Sequence, residues 1–378
     1  MRLSRPSDPA LRGVLLAMGA VFGTLAARIP AVRETAGLGE AALGAALLAL
    51  MLGAVLGLLP GALLVNRLGA RRVLAIAWLV FVTSLVLTPF AAGLPLLAGL
   101  LFTLGAANSV LDVAINDRAT RIEAERARPM LAGFHAMHTV GTLAGAGLAV
   151  VAGALAVGAP AHFLLAGAIL LPLGLLGAIS LEPDGRSDSR AAGFQLPHRS
   201  LLTPAFIALA AIFIDDVGNT WSAVYLDLVS GATQGVASAG FGALTLGGLC
   251  GRLVADRIIG RVGRRDFVVG AGLVAAAGGG LIVLLPGPAP SLLGFGLVGL
   301  GAGPILPAVL SQAAAQNPDR RTEAIAGVTT IGYLGSLIGP FSVGLLSAGV
   351  GLRMAMLVIP LLAITACALA VGLPGRKG

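Results

Sequence analysis

Residues 67–80, RLGARRVLAIAWLV, join a short basic turn to a long apolar run. This pattern is typical of a membrane helix that begins beside a charged loop, because basic residues gather in the cytoplasmic loops of membrane proteins. A similar stretch, RVGRRDFVVGAGLV, recurs 194 positions later at residues 261–274. TVGTLA at Thr139 likewise returns as TIGYLG at Thr330, which is 191 positions later. The two similar offsets indicate a unit duplicated in one orientation, an arrangement found in secondary transporters.

The composition of the chain is that of a membrane protein. Only 11% of its 378 residues are charged and the mean hydropathy is +0.95, whereas a soluble domain carries about 25% charged residues. Apolar blocks of about 20 residues are long enough to cross a bilayer as helices. The predicted helices cover residues 11–30, 41–65, 73–89, 94–116, 130–154, 161–181, 202–226, 236–257, 267–285, 292–315, 324–348 and 353–373.

We therefore expect an all-α membrane protein with 12 transmembrane helices in two pseudo-symmetric six-helix bundles. The first bundle covers residues 1–181 and the second covers residues 201–378, and the polar segment 182–200 is expected to be a cytoplasmic linker. Two such bundles can rock about a shared cavity and so give alternating access. No small-residue cleavage site follows the first apolar block, so we expect that helix to be retained.

The net charge of +8 is explained by membrane topology rather than by nucleic-acid binding. With the N-terminus inside, every Lys and Arg except Arg28, Arg33 and Arg353 falls in a cytoplasmic segment. Basic residues concentrate in cytoplasmic segments. We therefore expect a protein of the inner membrane with both termini in the cytoplasm. Cys250 and Cys367 have the spacing of neither a metal site nor a disulfide framework, so we expect them to pack between helices.

The loop after the second predicted helix carries a recognisable motif. NRLGARR at residues 66–72 resembles the DRxGRR loop of the major facilitator superfamily (MFS), with an asparagine in place of the usual acid. The second copy, GRLVADRIIGRVGRR at residues 251–265, keeps the acid. The resemblance implies the MFS fold and a cytoplasmic gating motif that latches neighbouring helices. The motif residues in this chain are Asn66, Arg67, Gly69, Arg71, Arg72, Arg252, Asp256 and Arg257.

Four further segments are similar to the YbjJ-like branch of that superfamily, which is distantly similar to fucose permease. Their order and their placement on helices 4, 5, 7 and 11 extend the resemblance over essentially the whole chain. One difference is a pair of aspartates where the branch has an acid followed by a small residue before the tryptophan of helix 7. The segments are LDVAIN at residues 111–116, FHAMHTVGTLAGA at 134–146, WSAVYL at 221–226 and GYLGSLIGP at 332–340.

That pair, Asp215 and Asp216, is the leading candidate for chemistry. Both lie roughly 20 Å from the cytoplasmic end of helix 7 at 1.5 Å per residue, and no basic residue shares the helix. A charged side chain in a bilayer costs at least about 2.5 kcal/mol and so faces a cavity, a partner or a proton path. Because burial favours the neutral form of a carboxyl group, we expect one aspartate, with Asn219, to bind substrate or carry a coupled proton. The alternative is that both accept hydrogen bonds from neighbouring helices.

Helix 4 carries a polar stripe formed by Asn108, Asp112 and Asn116 at i, i+4 and i+8. Such a stripe must face protein or water rather than lipid. Asp112 could contact substrate or a proton, or it could pair with an arginine such as Arg118 or Arg121 in a gating or structural role.

Helix 5 carries His135 and His138 at i and i+3. Histidine exchanges protons near neutral pH, so the pair could couple protons, contact substrate or form hydrogen bonds between helices. A metal is not expected, because that helix has no third ligand at suitable spacing.

The remaining candidates are on helices 1, 7, 10 and 11. Trp221 and Tyr225 would anchor the outer end of helix 7 at the membrane interface, or would stack against a sugar or take part in gating. Gln312 lies near the inner end of helix 10, and Tyr333 belongs to a polar face of helix 11 with Thr329 and Ser336. Arg28 is expected to snorkel at the outer end of helix 1 or to take part in an outer gate.

These observations predict a secondary transporter that moves a small molecule through the inner membrane by alternating access, with protons as the coupling ion. The few buried charges favour export of a metabolite or drug, and the alternative is proton-coupled uptake of a sugar-like solute. An intramembrane enzyme is disfavoured, because a catalyst needs one local site and not two similar halves. We expect a monomer in a lipid bilayer, with no cofactor, no metal and no nucleic-acid partner.

Overall fold

The computed structural model describes residues 7–126, 131–182 and 197–373. Within these ranges the chain is helical apart from turns, and twelve helices are long and apolar enough to cross a membrane. The twelve are α1 (Ser7–Ala27), α2 (Glu40–Leu68), α3 (Ala70–Leu87), α4 (Gly93–Arg126), α5 (Leu131–Ala154), α6 (Ala159–Ser180), α7 (Leu202–Leu228), α8 (Gln234–Val262), α9 (Arg264–Leu284), α10 (Pro288–Gln316), α11 (Arg321–Val350) and α12 (Leu352–Val371).

Each predicted span overlaps one of these helices, so the predicted all-α membrane fold is confirmed. The main difference is in α4, which was expected to end at residue 116 and continues to Arg126. The extension is polar, and an ion pair between two residues one turn apart stabilises it. Arg121 Nε lies 3.0 Å from Asp117 Oδ2. Residues 183–196 of the predicted linker lie outside the described residues.

Two helices depart from a straight span. The first predicted helix breaks at Arg28, and a short helix, Ile29–Thr35, follows with a proline in its first turn. Helix α10 is interrupted at Gly303 and Pro304, because proline lacks the N–H that would continue the hydrogen-bond ladder.

The duplicated sequence builds the same local structure twice. Helices α2 and α8 each contain 29 residues. The turns that follow them are made by Gly69, with φ of 82°, and by Gly263, with φ of 86°, 194 positions apart. Side chains rarely adopt this backbone conformation, so glycine is required at both turns.

The contacts divide the chain into two compact units. The N-terminal unit holds α1 to α6 without Gly39–Gly44, and the C-terminal unit holds α7 to α12 together with that segment. In the first unit α1 packs against α5 and α6, and α3 packs against α4 and α6. In the second unit α7 packs against α11 and α12, and α9 packs against α10 and α12. The same helix pairings therefore recur in both units.

Glycines set the distance between paired helices. A Cβ atom on Gly19 of α1 would lie 1.9 Å from the carbonyl oxygen of His138 on α5. A Cβ atom on Gly247 of α8 would lie 2.1 Å from the carbonyl oxygen of Gly296 on α10. Small residues permit such close backbone approach in membranes, where dispersion contacts replace the hydrophobic effect between helices.

The outward surface of the helices is apolar. Leu59, Leu165 and Leu361 expose 64%, 61% and 61% of their side chains, respectively. A bilayer would cover such residues, whereas soluble monomers rarely expose large continuous apolar patches. The surface therefore agrees with a multi-pass membrane protein.

We predict that Gly247→Ala lowers the apparent melting temperature of the purified protein, because the new methyl group must push α10 away. Overpacking of this kind typically costs about 1–3 kcal/mol. Gly242→Ala on the same helix is the matched control: no described atom lies within 4 Å of its Cβ position, and alanine is the better helix former. Melting curves that shift equally for the two variants would contradict the close approach of α8 and α10.

Candidate functional site

The two acids of α7 have different hydrogen-bond partners. Asp215 accepts a hydrogen bond from Asn219 Nδ2 of the same helix, with 3.1 Å between nitrogen and Oδ2. Asp216 accepts a hydrogen bond from the hydroxyl of Ser336 on α11. Both carboxylates are half-buried, and neither forms a direct ion pair with a described residue. The adjacent acids therefore point to different neighbours, as their 100° separation on a helix requires.

Ser336 is brought to Asp216 by the close packing of α7 and α11. A Cβ atom on Gly335 of α11 would lie 2.5 Å from the carbonyl oxygen of Leu209, so only glycine permits this approach. From sequence Ser336 belongs to a polar face of helix 11 with Thr329 and Tyr333, and its partner could not be identified. The feature of the sequence that comes closest to indicating a role for Ser336 is its position one turn after Tyr333.

Arg252 of the predicted gating motif is an exposed residue in the C-terminal unit. It belongs to α8, and it is the positive charge that acts electrostatically on Asp215. No spacing within one helix could predict this relation, because the two residues are on different helices.

The other gating residues lie at the two equivalent turns. Arg67, Arg72, Asp256 and Arg257 are exposed and Asn66 is half-buried. Asp256 makes no hydrogen bond or ion pair with another residue in the part of the chain that the structure describes. The latch that the family motif implies stays a prediction.

The polar stripe of α4 is present in the N-terminal unit. Asn108 Nδ2 donates to Asp112 Oδ2 at 3.3 Å, and Asn116 is half-buried one turn further along. The arginines that follow on α4 have other acidic partners, so the expected alternative of an arginine paired with Asp112 is not found. Asp112 is a half-buried carboxylate whose hydrogen bond comes from its own helix.

The histidines of α5 differ in exposure. His135 is exposed and His138 is half-buried. The Thr142 hydroxyl donates to the backbone carbonyl of His138 at 2.9 Å, so this hydrogen bond does not involve the imidazole ring. Across the described residues no group of three His, Cys, Asp or Glu side chains could hold a metal ion.

The structure corrects the roles proposed for Trp221 and Tyr225. Both rings are 0% exposed in the C-terminal unit, rather than at a membrane interface or a substrate surface. Trp221 Nε1 donates to the carbonyl oxygen of Pro340 at 3.0 Å, and the Tyr225 hydroxyl donates to that of Ile282 at 2.7 Å. Both side chains tie α7 to neighbouring helices, because a buried aromatic donor needs an acceptor.

Gln312 and Tyr333 also differ from each other. Gln312 is 6% exposed, and its Oε1 atom has no hydrogen-bond partner within the described ranges. Tyr333 is 46% exposed on α11, one turn before Ser336. Of the two, Tyr333 is thus the more exposed.

Arg28 is buried and does not snorkel. It is 2% exposed in the N-terminal unit, and its Nη2 atom donates to the carbonyl oxygen of Val157 at 2.6 Å. This bond ties the end of α1 to the connection between α5 and α6, so the expectation of an interfacial anchor is wrong.

Comparison with known proteins identifies the family. The sequence model of the Major Facilitator Superfamily matches residues 13–314. The chain belongs to the Major Facilitator Superfamily. The uncharacterized transporter y4wD of Sinorhizobium fredii is 33% identical over 374 residues, which cover 98% of each chain. An uncharacterized MFS-type transporter of Yersinia pestis is 29% identical over 342 residues, 90% of this chain and 88% of the relative.

A solved structure supports the same fold. A crystal structure of a mutant of the nucleoside transporter NupG superposes with a TM-score of 0.79 and 11% sequence identity, covering 97% of this chain and 99% of the other. As a superfamily member, this chain is a multi-pass secondary transporter of a small molecule, and it is not an enzyme. The narrower YbjJ-like and fucose-permease-like resemblance stays a prediction.

We predict that Tyr225→Phe lowers the apparent melting temperature of this MFS protein although it keeps the ring. The change leaves the carbonyl of Ile282 without its partner, and an unsatisfied buried group costs about 1–3 kcal/mol. Thr365→Val is the control, because the Thr365 hydroxyl bonds only within α12. Thermal unfolding in detergent measures both variants, and an unchanged curve for Tyr225→Phe would refute its packing role.

Proposed function

We propose that this protein is a proton-coupled exporter of a small metabolite or drug that works by alternating access in the inner membrane. The observation that carries the proposal is the pair of half-buried acids on α7, Asp215 and Asp216, with hydrogen-bond partners on α7 and α11. A carboxyl group inside a membrane span is costly to keep charged. A site of this kind is suited to taking up and releasing a proton during transport.

The partners of the acids are compatible with both protonation states. A hydroxyl can donate to a carboxylate and can accept from a protonated carboxyl group. The amide of Asn219 likewise offers both a donor and an acceptor. Gain or loss of a proton therefore leaves no partner unsatisfied. Asp112 on α4, with Asn108 beside it, is a second acid of the same kind in the N-terminal unit.

Export is favoured over uptake of a sugar-like solute by the placement of the aromatic rings. Sugar recognition commonly uses an exposed aromatic face, whereas the rings of Trp221 and Tyr225 are 0% exposed. Uptake remains the alternative, with Tyr333 as the exposed ring that it would use. The remaining candidate contacts for either solute are Asn116, His135, His138 and Gln312.

The distribution of arginines along the chain also supports a particular orientation of the protein in the membrane. We propose that both termini are cytoplasmic, that residues 182–200 link the two halves on that side, and that the transporter is a monomer. Basic residues set topology because they resist translocation.

We predict that substrate-driven proton movement requires the acids of α7. A substrate is first found by thermal stabilisation of the purified protein, and proton flux is then followed with a pH-sensitive dye in proteoliposomes. At least one of Asp215→Asn and Asp216→Asn should reduce the flux by about tenfold or more, a loss of about 1.4 kcal/mol or more. Asp266→Asn, an exposed acid at the start of α9, is the control. Normal flux in both α7 variants would refute proton coupling at this site.

We predict that green fluorescent protein fused to the C-terminus fluoresces in cells, whereas alkaline phosphatase fused there is inactive. Both follow from a cytoplasmic C-terminus, because the phosphatase needs the oxidising side of the inner membrane. Phosphatase inserted after Val157, in the predicted outer loop between α5 and α6, is the positive control. Phosphatase activity at the C-terminus would show that the proposed orientation is inverted.

A further inference from the structure

We propose that Asp216 is the carboxyl group that takes the coupled proton, while Arg252 favours the ionised form of the neighbouring Asp215. This assignment rests on the proposed proton-coupled transport and divides its site into two roles. Asp216 exchanges the proton, and Arg252 is a positioning residue that acts through Asp215.

The register of α7 and α8 places the guanidinium of Arg252 at the level of Asp215. A Cβ atom on Gly218 of α7 would lie 2.7 Å from Leu244 Cδ1 of α8. The two helices are consecutive and antiparallel, so one turn further along Asp215 is level with Gly248. The Nη2 atom of Arg252 lies 3.1 Å from the Cβ position of Gly248. The guanidinium therefore folds back along α8 to the level of the acid.

Glycine at position 248 leaves room for this conformation. A methyl group there would lie 3.1 Å from Nη2 and 3.9 Å from Cζ of Arg252, so the guanidinium would have to shift. A long basic side chain normally extends toward water. Here the missing side chain one turn away lets the exposed guanidinium lie back along α8, and from there its charge acts on Asp215.

The surroundings of the two acids favour different charge states. Asp215 has an amide donor from Asn219 and the cation of Arg252, and both favour a carboxylate. Asp216 has the Ser336 hydroxyl, the same amide and the negative charge of Asp215 beside it. Two adjacent carboxylates cannot both ionise cheaply in apolar surroundings. One cation therefore leaves Asp216 as the acid that is neutralised by a proton.

The charged and titratable groups on the packed helices do not alter this balance. Within the described residues, α10 has no ionisable side chain, and α12 has Arg353 at its start and Cys367. On α11 Glu323 and Arg321 lie at the first turn, about 20 Å along the helix from Ser336 at 1.5 Å per residue. Tyr333, one turn from Ser336, is neutral at physiological pH. On α8, Asp256, Arg257 and Arg261 lie one turn or more beyond Arg252 toward the end of the helix. Arg252 is thus the cation that acts on Asp215.

Protonation of Asp216 would change the contact between α7 and α11. A hydroxyl bonded to a carboxylate forms a charge-assisted hydrogen bond, about twice as strong as a neutral one. When a proton arrives from the aqueous side, the carboxylate becomes neutral and the bond to Ser336 weakens. Protonation thereby weakens one hydrogen bond between α7 and α11 of the C-terminal unit, and release of the proton restores that bond.

Infrared difference spectroscopy during a pH titration tests the assignment in the full-length purified protein without a substrate. The carbonyl stretches of protonated carboxyl groups, that of Asp112 included, should grow as the pH falls, and one of these bands should be lost in Asp216→Asn and should persist in Asp215→Asn. Arg252→Gln should add a further such band, which Asp215→Asn in the same chain removes. Arg252→Lys should return the spectrum to that of the unmodified protein, a rescue that a merely structural role of the guanidinium would not give.

Two spectroscopic results would overturn the assignment. One is loss of the carboxyl band in Asp215→Asn with its retention in Asp216→Asn. The other is an Arg252→Gln spectrum identical to that of the unmodified protein. The flux assay of the previous subsection separates the two proposals. If Asp216→Asn loses the band but Asp215→Asn and Asp216→Asn both keep substrate-driven proton flux, proton coupling at this site fails, although Asp216 is still the acid that takes up a proton. If Asp216→Asn keeps the flux and Asp215→Asn loses it, the assignment of the coupled proton to Asp216 is overturned.

Discussion

The cost of placing charge in hydrocarbon determines where the polar residues of this chain lie. An ionised side chain at the centre of a bilayer is unfavourable by several kcal/mol unless it has a partner or reaches water. Asp112, Asp215 and Asp216 each have a hydrogen-bond donor in the same unit. Most arginines instead lie at helix ends or in connections. The few charges retained inside the spans are therefore the best evidence of function.

Close helix packing follows from the same environment. Lipid chains are as apolar as leucine, so helices gain little by hiding apolar surface and associate through dispersion contacts and hydrogen bonds. Gly19 and Gly247 allow backbones to approach until carbonyl oxygens occupy the space of a side chain. The bonds from Trp221 to Pro340 and from Tyr225 to Ile282 add directional ties. In this way glycine packing positions α7 and α11, and their approach brings Ser336 to Asp216.

The fold was predictable from sequence because hydropathy and repeats are properties of single segments. The twelve apolar blocks correspond to twelve helices in the part of the chain that the structure describes, and the two RxGxR-like turns are glycine turns with positive φ. The candidate site was predictable only in part, because its partners come from different helices. Sequence spacing identified Asp215 and Asn219 on one face, but it could not show that Ser336 or Arg252 would approach them. It also placed Trp221 and Tyr225 at an interface, since a ring near a helix end has the same local pattern whether it meets lipid or a neighbouring helix.

The two duplicated units share their helix pairings but differ in the positions of their acidic residues. At the 194-residue offset, the counterparts of Asp215 and Asp216 in α1 are Val21 and Phe22, and the counterpart of Arg252 is Leu58. The converse holds for α4, because the position equivalent to Asp112 in α10 is an apolar residue. Each unit therefore retains the same helix pairings but has its buried acid on a different helix. Since the backbone contacts depend on glycines and not on these acids, a charged pair could be acquired in one unit without disturbing the packing shared by both.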